Sequence, residues 1–211
     1  MFTGIVTAIG TVTHSAQQGD RRVRIACPYD PATIDIGASI ACSGACMTVV
    51  EKGVLRQAQD GRDGGWFAVD VSGESVSRTA PGMWDEGAKL NLETALKLGD
   101  ELGGHIVTGH VDAVGEVVGS EEVGGSTRLT IRAPRDIAPF IAPKGSITVD
   151  GVSLTVNEVT DRDDCACDFT LNIIPHTGDV TTLGALTEGD GVNLEIDVLA
   201  RYLKRMQALA G

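Results

Sequence analysis

The sequence lacks long hydrophobic runs and is poor in aromatic and basic residues. No stretch of about 20 consecutive apolar residues occurs, so no transmembrane helix is encoded. Residues 1–4 lack the basic and apolar regions of a signal peptide, and we expect a cytoplasmic protein. Lys and Arg number 17 against 29 Asp and Glu, which gives a net charge of -12. This excess of acidic residues disfavours nucleic acids and anionic membranes as partners.

The cysteines lack the spacing of a structural zinc site. Cys42 and Cys46 are four positions apart, Cys165 and Cys167 are two apart, and Cys27 stands alone. Because paired C-x-x-C segments are missing, we predict no metal site. An odd number of cysteines in a chain without an export signal predicts free, reduced thiols.

What the sequence does have is an internal repeat. Segment 3–12 returns at 108–117, segment 39–49 at 146–156, and segment 86–93 at 188–195. Self-similarity on this scale predicts two copies of one domain. We predict an N-terminal domain at 1–98, a second domain at 99–196 and a terminal helix at 197–211. A polar, glycine-rich stretch at 56–65 is interpreted as an enlarged hairpin loop of the first copy.

Short segments rich in Val, Ile and Thr predict about six strands in each copy, and hence a small antiparallel barrel or sandwich. The predicted strands are 4–13, 22–27, 38–42, 45–51, 66–71 and 89–93 in the first copy. Those of the second copy are 107–118, 127–132, 145–149, 152–159, 167–174 and 191–196. Segments 28–35, 75–80 and 134–142 predict short helical turns.

The one long helix is predicted at 197–210. Three-and-four spacing gives it an apolar stripe of Leu199, Tyr202, Leu203, Met206 and Leu209. The stripe is compatible with docking on the second barrel and with oligomerisation, and the pattern does not choose between them.

The two copies differ at a few positions that carry chemistry. Ile5 corresponds to His110, Cys46 to Ser153, and Ser43 to Asp150. The second copy thereby gathers an imidazole, a hydroxyl and a carboxylate. Imidazole moves protons near neutral pH, and a serine hydroxyl near a base can act as a nucleophile.

Each of these residues also has an ordinary structural interpretation. A single histidine, such as His105 or His14, is more often a satisfied residue than a catalyst, and Cys46 on a strand is more often a small buried hydrophobe. The Gly-Gly-His run at 103–105 is typical of a turn. The clustering at equivalent places favours a functional site without naming a reaction.

Four segments resemble the riboflavin synthase family, alpha chain: 1–6 (MFTGIV), 44–49 (GACMTV), 103–111 (GGHIVTGHV) and 144–156 (KGSITVDGVSLTV). The resemblance covers nearly the whole chain. It implies an all-β fold of two tandem six-stranded antiparallel Greek-key barrels and a C-terminal helix that forms a homotrimer. It also implies that two molecules of 6,7-dimethyl-8-ribityllumazine exchange a four-carbon unit. The products are riboflavin and 5-amino-6-ribitylaminopyrimidinedione, and no cofactor takes part.

The resemblance further implies two substrate pockets that face each other across a subunit boundary. The first is expected to be lined by Gly4, Ile5, Val6, Cys46, Met47, Thr48, Asp70, Val71, Ser72, Gly73, Glu74 and Ser75. The second is expected to be lined by Gly109, His110, Val111, Lys144, Ser153, Leu154, Thr155, Ile173, Ile174, Pro175, His176 and Thr177.

For the chemistry we assign Ser153 and His110, supported by Thr155 and Asp150, with Cys46 on the opposing barrel. One substrate loses a proton from its 7-methyl group, and the other accepts a nucleophile or water at its ring. His110 is the candidate for proton movement, and Ser153 is the candidate for activating or attacking the acceptor.

Two other interpretations compete with this one, and the second is nearly excluded. A lumazine protein binds the same ligand, or a flavin, as an antenna without turnover, but one of its barrels typically loses its ligand residues. A flavin-binding reductase has a similar barrel but needs a nucleotide-binding βαβ unit, and no G-x-G-x-x-G segment occurs here. We expect Phe2 to cover or order the site. The sequence does not decide which barrel holds the donor or whether lumazine synthase encloses the protein.

Overall fold

A computed structural model describes residues 1–55 and 64–210 of the chain. Most of the loop predicted at 56–65 lies outside the described residues. In the part described, every pair of hydrogen-bonded strands is antiparallel, so it holds no parallel βαβ unit of the kind a nucleotide-binding reductase needs.

The first repeat is a closed six-stranded antiparallel barrel, as predicted. Its strands are β1 (Ala8–Gln18), β2 (Asp20–Cys27), β3 (Ser39–Cys42), β4 (Ala45–Leu55), β5 (Gly64–Val71) and β6 (Lys89–Thr94). They pair in the order β1-β2-β5-β4-β3-β6, and the pairing of β1 with β6 closes the ring. In β2 the inward residues Val23, Ile25 and Cys27 are buried at every second position, as a strand with one face on a core requires.

The second repeat is a seven-stranded half-barrel. Its strands are β7 (Ala113–Val123), β8 (Ser126–Ala133), β9 (Ser146–Val149), β10 (Val152–Thr155), β11 (Val159–Asp161), β12 (Cys167–Ile173) and β13 (Gly191–Ile196). They pair in the order β10-β9-β13-β7-β8-β12-β11. The edge strands β10 and β11 are consecutive in the chain but lie at opposite edges of the sheet. The single strand predicted at 152–159 is therefore divided into two. At the division Thr170 still bonds the backbone of Asn157 and Glu158.

The short helical turns fall where the sequence predicts them. One-turn 3-10 helices occupy Pro31–Thr33 and Ala138–Phe140, and α1 (Gly73–Arg78) overlaps the turn predicted at 75–80. Helix α1 begins earlier than predicted because the Ser72 hydroxyl accepts a hydrogen bond from the Ser75 amide at 3.1 Å. The matching helix of the second repeat is α2 (Pro175–Val180).

The terminal helix α3 (Val198–Ala210) contacts the second barrel and leaves its apolar stripe uncovered. Ala200 packs on the second core, and Arg201 pairs with Asp112 at 2.9 Å. The stripe residues Leu199, Tyr202, Leu203, Met206 and Leu209 are 58–70% exposed. Among the described residues, no helix has the length and apolar content needed to cross a membrane.

Each barrel has its own hydrophobic core. The first is centred on residues such as Ile25, Phe67 and Leu90, and the second on residues such as Leu129 and Phe169, all of them fully buried. Two separate cores agree with two domains, while the boundaries at 98 and 196 stay a prediction.

The two barrels meet through a pair of matching hairpin turns. Ser43 and Gly44 connect β3 to β4, Asp150 and Gly151 connect β9 to β10, and all four residues have positive φ, as a type I′ turn requires. A Cβ on Gly44 would lie 3.0 Å from the Gly151 nitrogen, and one on Gly151 would lie 2.8 Å from the Gly44 nitrogen. The turns therefore approach backbone to backbone, and neither glycine can be replaced without a shift.

Asparagines in β6 and β13 complete this contact reciprocally. The Asn91 side-chain amide donates to the Asp150 carbonyl at 2.9 Å, and the Asn193 amide donates to the Ser43 carbonyl at 2.8 Å. Each asparagine thus binds the turn of the other repeat, so the contact is reciprocal.

Candidate functional site

The two Thr-Gly turns, Thr3-Gly4 and Thr108-Gly109, each cross to the opposite barrel. The Gly4 carbonyl accepts a hydrogen bond from the Ser153 amide of the second barrel at 2.8 Å. The Gly109 carbonyl accepts one from the Cys46 amide of the first barrel, also at 2.8 Å. Between the turns, Phe2 and Val107 exchange two backbone hydrogen bonds.

This exchange corrects the grouping of residues expected from the sequence. We expected Gly4 to share a pocket with Cys46, and His110 to share one with Ser153. In the structure the turn that carries His110 lies against Cys46, and the turn that carries Ile5 lies against Ser153. The physical reason is the backbone pairing at Phe2 and Val107, which carries each turn past its own barrel.

The Cys46 half-site is a cavity of about 420 Å³ built from both repeats. The first repeat lines it with β4, α1 and the residue after α1, namely Ala45, Cys46, Met47, Glu74, Ser75, Arg78 and Thr79. The second repeat lines it with the crossing turn and the residues that follow, namely Gly109, His110, Val111 and Asp112. Seven of the residues predicted to bind substrate are therefore brought together here: Cys46, Met47, Glu74, Ser75, Gly109, His110 and Val111.

Cys46 is the accessible thiol of the first barrel. Its side chain is partly exposed to the cavity, whereas Cys27 and Cys42 are buried, and burial raises the pKa of both of those thiols. His110 is exposed on the opposite wall. A partly exposed thiol and an imidazole thus face one cavity.

The Ser153 half-site is organised around a hydrogen-bonded chain. The Ser153 Oγ lies 2.7 Å from Nδ1 of His105, and Nε2 of His105 lies 3.3 Å from the Thr148 Oγ1. The His105 amide donates to the Thr3 carbonyl, so the same histidine also holds the crossing turn. The partner of the Ser153 hydroxyl is therefore His105 and not His110, which corrects our pairing.

Burial lowers the pKa of His105, although the nearby Asp197 and Glu195 carboxylates act against this. The imidazole is therefore neutral at physiological pH and can accept a proton from Ser153. Gly104 allows this close packing. A Cβ there would lie 2.1 Å from the Thr3 carbonyl oxygen and 2.8 Å from the Ser153 Cβ.

Comparison with known proteins decides the family. A family model described as "Lumazine binding domain" matches residues 3–95 and 108–197. The riboflavin synthase of Brucella abortus (strain 2308) is 47% identical over 207 residues, which are 98% of this chain and 98% of that protein. The riboflavin synthase of Mycobacterium bovis (strain ATCC BAA-935 / AF2122/97) is 42% identical over 213 residues, with both chains fully covered. The chain belongs to the riboflavin synthase family.

Solved structures extend the comparison. The crystal structure of LumP complexed with riboflavin matches with a TM-score of 0.73 and 25% identity, covering 93% of this chain and 99% of that one. LumP complexed with 6,7-dimethyl-8-(1'-D-ribityl) lumazine matches with a TM-score of 0.70 at the same identity and coverage. Identity to riboflavin synthases is thus much higher than identity to LumP.

Asp150 lies between the barrels, although we expected it to support catalysis. Its carboxylate is buried, and Oδ1 accepts a hydrogen bond from the backbone N–H of Asn193 at 2.8 Å. Burial raises the pKa of Asp150 to about 7, the bond from Asn193 opposes the rise, and the nearby Asp190 adds to it. The structure places Asp150 in the contact between repeats and not beside Ser153.

Four further predicted residues belong to the hydrophobic cores. Val71 and Ile173 are buried in the first and second cores, and Val6 and Leu154 pack against the second core. Val6 belongs to the first repeat, so its contact with the second core agrees with the exchange of turns.

The remaining predicted residues lie on strands with exposed side chains, in turns, or in the two short helices. Thr48, Asp70, Lys144 and Thr155 are exposed, and Asp70 is paired with Arg22. Ile5 is 46% exposed beside the Ser153 half-site. Ser72 and Gly73 begin α1, Ile174 and Pro175 begin α2, and His176 is exposed and Thr177 partly buried in α2.

In the part of the chain described, no three His, Cys, Asp or Glu side chains are grouped so that they could hold a metal ion. Phe2 is 1% exposed and packs with Ala41 and Val107 between the repeats. Its expected role in ordering the site stays a prediction.

Proposed function

We propose that this chain converts two molecules of 6,7-dimethyl-8-ribityllumazine into riboflavin and 5-amino-6-ribitylaminopyrimidinedione by four-carbon transfer. The observation that supports this most directly is the pair of chemically different half-sites on one repeated fold. A reaction between two identical molecules needs two related pockets, because each molecule must be recognised. It also needs unequal chemistry, because one molecule gives the four carbons and the other accepts them.

The protein's main contribution is to hold the two rings together. Orientation of two reactants in one site is worth up to about 7–11 kcal/mol of the barrier. We propose that the ribityl hydroxyls bind Ser, Thr and acidic side chains, such as Glu74 and Ser75 in the Cys46 half-site. Backbone amides and carbonyls that line the half-sites beside the crossing turns would bind the pyrimidine edge.

We assign the donor of the four-carbon unit to the Ser153 half-site. The neutral imidazole of His105 lies 2.7 Å from the Ser153 Oγ and can take its proton when the hydroxyl, or a water beside it, adds to the ring of the donor. The acceptor then occupies the Cys46 half-site, where His110 is exposed to the cavity and is the candidate to take the proton of the 7-methyl group, so that the methyl carbon can attack the ring of the donor.

We further propose a homotrimer in which the Cys46 half-site of one subunit faces the Ser153 half-site of the next. Support comes from the apolar stripe of α3, whose five large side chains are 58–70% exposed in the single chain, as contiguous apolar residues of an interaction surface are. Leu203→Glu is expected to dissociate the trimer and abolish turnover, as measured by light scattering and product formation. Arg205→Gln, at an exposed position of the same helix outside the stripe, changes the net charge by the same one unit and is the matched control.

The test of function uses the purified protein and 6,7-dimethyl-8-ribityllumazine alone. We expect riboflavin to form in a ratio of one per two substrate molecules without any added cofactor. Binding with a shifted fluorescence spectrum but no riboflavin would instead favour a binding protein, the second candidate, which the similarity to the LumP complexes supports.

Two variants test the assignment of roles. Ser153→Ala is expected to lower kcat by about 100-fold or more, because the nucleophile or its positioning is lost. Ser120→Ala, an exposed serine on β7, is the matched control. Unchanged turnover in Ser153→Ala would exclude the proposed role. Association with lumazine synthase and the cytoplasmic location stay predictions.

A further inference from the structure

An Asn-x-Glu segment is repeated in β6 (Asn91 to Glu93) and β13 (Asn193 to Glu195), and its glutamates also bind the crossing turns. Both glutamates are buried, at 6% and 3% exposure. Neither is paired with a basic side chain in the described structure. A buried carboxylate without a cation must be satisfied by hydrogen-bond donors.

Glu195 is satisfied entirely by one crossing turn. Its Oε1 accepts the Thr108 amide at 2.7 Å and the Thr108 hydroxyl at 2.6 Å. Its Oε2 accepts the Gly109 amide at 2.9 Å and the His110 amide at 3.1 Å. Four donors on one carboxylate fix the backbone from which the His110 side chain enters the Cys46 half-site.

Glu93 binds the other crossing turn in the same way. Its Oε1 accepts the Thr3 amide at 2.7 Å and the Thr3 hydroxyl at 2.8 Å, and its Oε2 accepts the Gly4 amide at 2.9 Å. The Thr3 carbonyl in turn accepts the His105 amide, and the Gly4 carbonyl accepts the Ser153 amide. Glu93 is thereby linked to the Ser153–His105 pair through a single residue of backbone.

We propose that these two turn carboxylates are positioning residues, each of which orders the half-site of the opposite barrel. Glu195, in the second barrel, positions His110 and the Cys46 backbone through the turn at Thr108. Glu93, in the first barrel, positions Ser153 and His105 through the turn at Thr3. Charge-assisted hydrogen bonds from backbone amides are short and directional, so they set geometry and not merely stability.

The expected loss of turnover rests on the proposed function, whereas the expected change in the structure of the half-sites does not. A glutamate that only stabilises its own barrel would affect the residues of that barrel. The crossed arrangement instead requires Glu195→Gln to disturb Cys46, and Glu93→Gln to disturb Ser153 and His105. This crossed pattern can be measured in the absence of any substrate.

The Cys46 half-site is followed by the rate at which a small thiol reagent alkylates Cys46. A Cys165→Ser background is used because Cys165 is exposed, while Cys27, Cys42 and Cys167 are buried. Loss of the carboxylate releases the Gly109 carbonyl from the Cys46 amide, so Glu195→Gln is expected to change the alkylation rate several-fold. Glu188→Gln, an exposed glutamate of the same repeated segment, is the matched control.

The Ser153 half-site is followed by the imidazole NMR signals of His105 and His110, assigned by His→Asn substitution. Glu93→Gln is expected to shift the His105 signal and to leave Cys46 alkylation unchanged. Because the charge of Glu195 also raises the pKa of His105, Glu195→Asp is measured as well. It keeps the charge but withdraws the carboxylate from the turn, and it is expected to reproduce the change at Cys46.

Turnover supplies the second readout. Each positioning variant is expected to lower kcat by about 10- to 100-fold with KM nearly unchanged, because misplaced reacting groups affect the chemical step. If the substituted glutamates prevent folding, Thr108→Val and Thr3→Val remove one hydroxyl donor each and test the same crossed pattern. Absence of turnover in the unsubstituted protein would refute the proposed function and leave the substrate-free comparison intact.

The proposal is overturned by either of two results in folded variants. One is wild-type Cys46 alkylation and His110 signals in both Glu195→Gln and Glu195→Asp. The other is an equal disturbance of both half-sites by Glu93 and Glu195 variants, which would indicate general loosening of the fold and not positioning.

Discussion

Asp150→Asn is expected to remove a large pH dependence from the stability of the protein. The Asp150 carboxyl is buried between the repeats, and it accepts a hydrogen bond from the backbone N–H of Asn193. The charged groups near it are Asp190, which disfavours ionisation, and Lys89, which lies on the same cleft between the barrels. Asparagine has nearly the same shape, tolerates the positive φ of 44° at this position, and can still accept the Asn193 amide.

The magnitude follows from the pKa shift. Burial raises the pKa of Asp150 from 3.8 to about 7, so between these values the folded state holds a proton that the unfolded state has lost. Stability therefore decreases as pH rises from about 4 to about 7, and the total loss is about 4 kcal/mol at about 1.4 kcal/mol per pH unit. The penalty is absent below the unfolded pKa and complete above the folded one.

Urea denaturation of both proteins at about pH 4, about pH 5.5 and about pH 8 measures this difference directly. We expect nearly equal free energies of unfolding at the lowest pH and a growing advantage for Asp150→Asn as pH rises. Parallel curves for the two proteins across this range would refute the reasoning, because they would show that Asp150 titrates alike in the folded and unfolded states.

Three further outcomes are expected. Gly104→Ala should lower kcat by about tenfold or more, because its Cβ would meet the Thr3 carbonyl oxygen at 2.1 Å, whereas Gly103→Ala, with its nearest neighbour at 3.4 Å, should retain activity. Arg201→Met should release α3 from Asp112 and raise amide exchange in that helix, at a cost of about 1 kcal/mol; unchanged exchange would show that the ion pair does not anchor it. Thiol titration of the native protein should detect Cys165 and then Cys46, and the other three cysteines only after denaturation.

Most of the fold could be predicted because alternation of apolar residues reports burial directly. The strand at 22–27 is a clear case, since Val23, Ile25 and Cys27 all face the core. The division of the strand at 152–159 could not be predicted, because apolar residues on both sides of Asn157 and Glu158 look like one continuous strand. In the structure the chain changes partner here, since β10 pairs with β9 while Asn157 and Glu158 bond Thr170 of β12. Alternation reports which face is buried and not where a ladder is interrupted.

The contact of each turn with the opposite barrel could not be predicted from the sequence for a related reason. Gly4 and Ser153 are far apart in the chain, and a pattern of buried residues says nothing about which of two similar barrels a segment contacts. Comparison of the copies drew attention to His110 because Ile5 stands opposite it. His105 has no counterpart among the residues compared, so its bond to Ser153 was not predicted, although the Gly-Gly-His segment that contains it was part of the family resemblance.

The reciprocal contacts between the repeats limit how two duplicated copies can diverge. Each repeat supplies a turn to its neighbour's half-site, so a substitution in one copy alters its own barrel and the other one together. Residues that serve both sides, such as Asn91 and Asn193, are held to the same identity by this mutual dependence. Chemical divergence occurs at Ile5 and His110, whose side chains are exposed, and at Ser43 and Asp150, where the backbone contacts of both turns are kept. The shared backbone contacts are therefore the same in both copies, while side chains beside them differ.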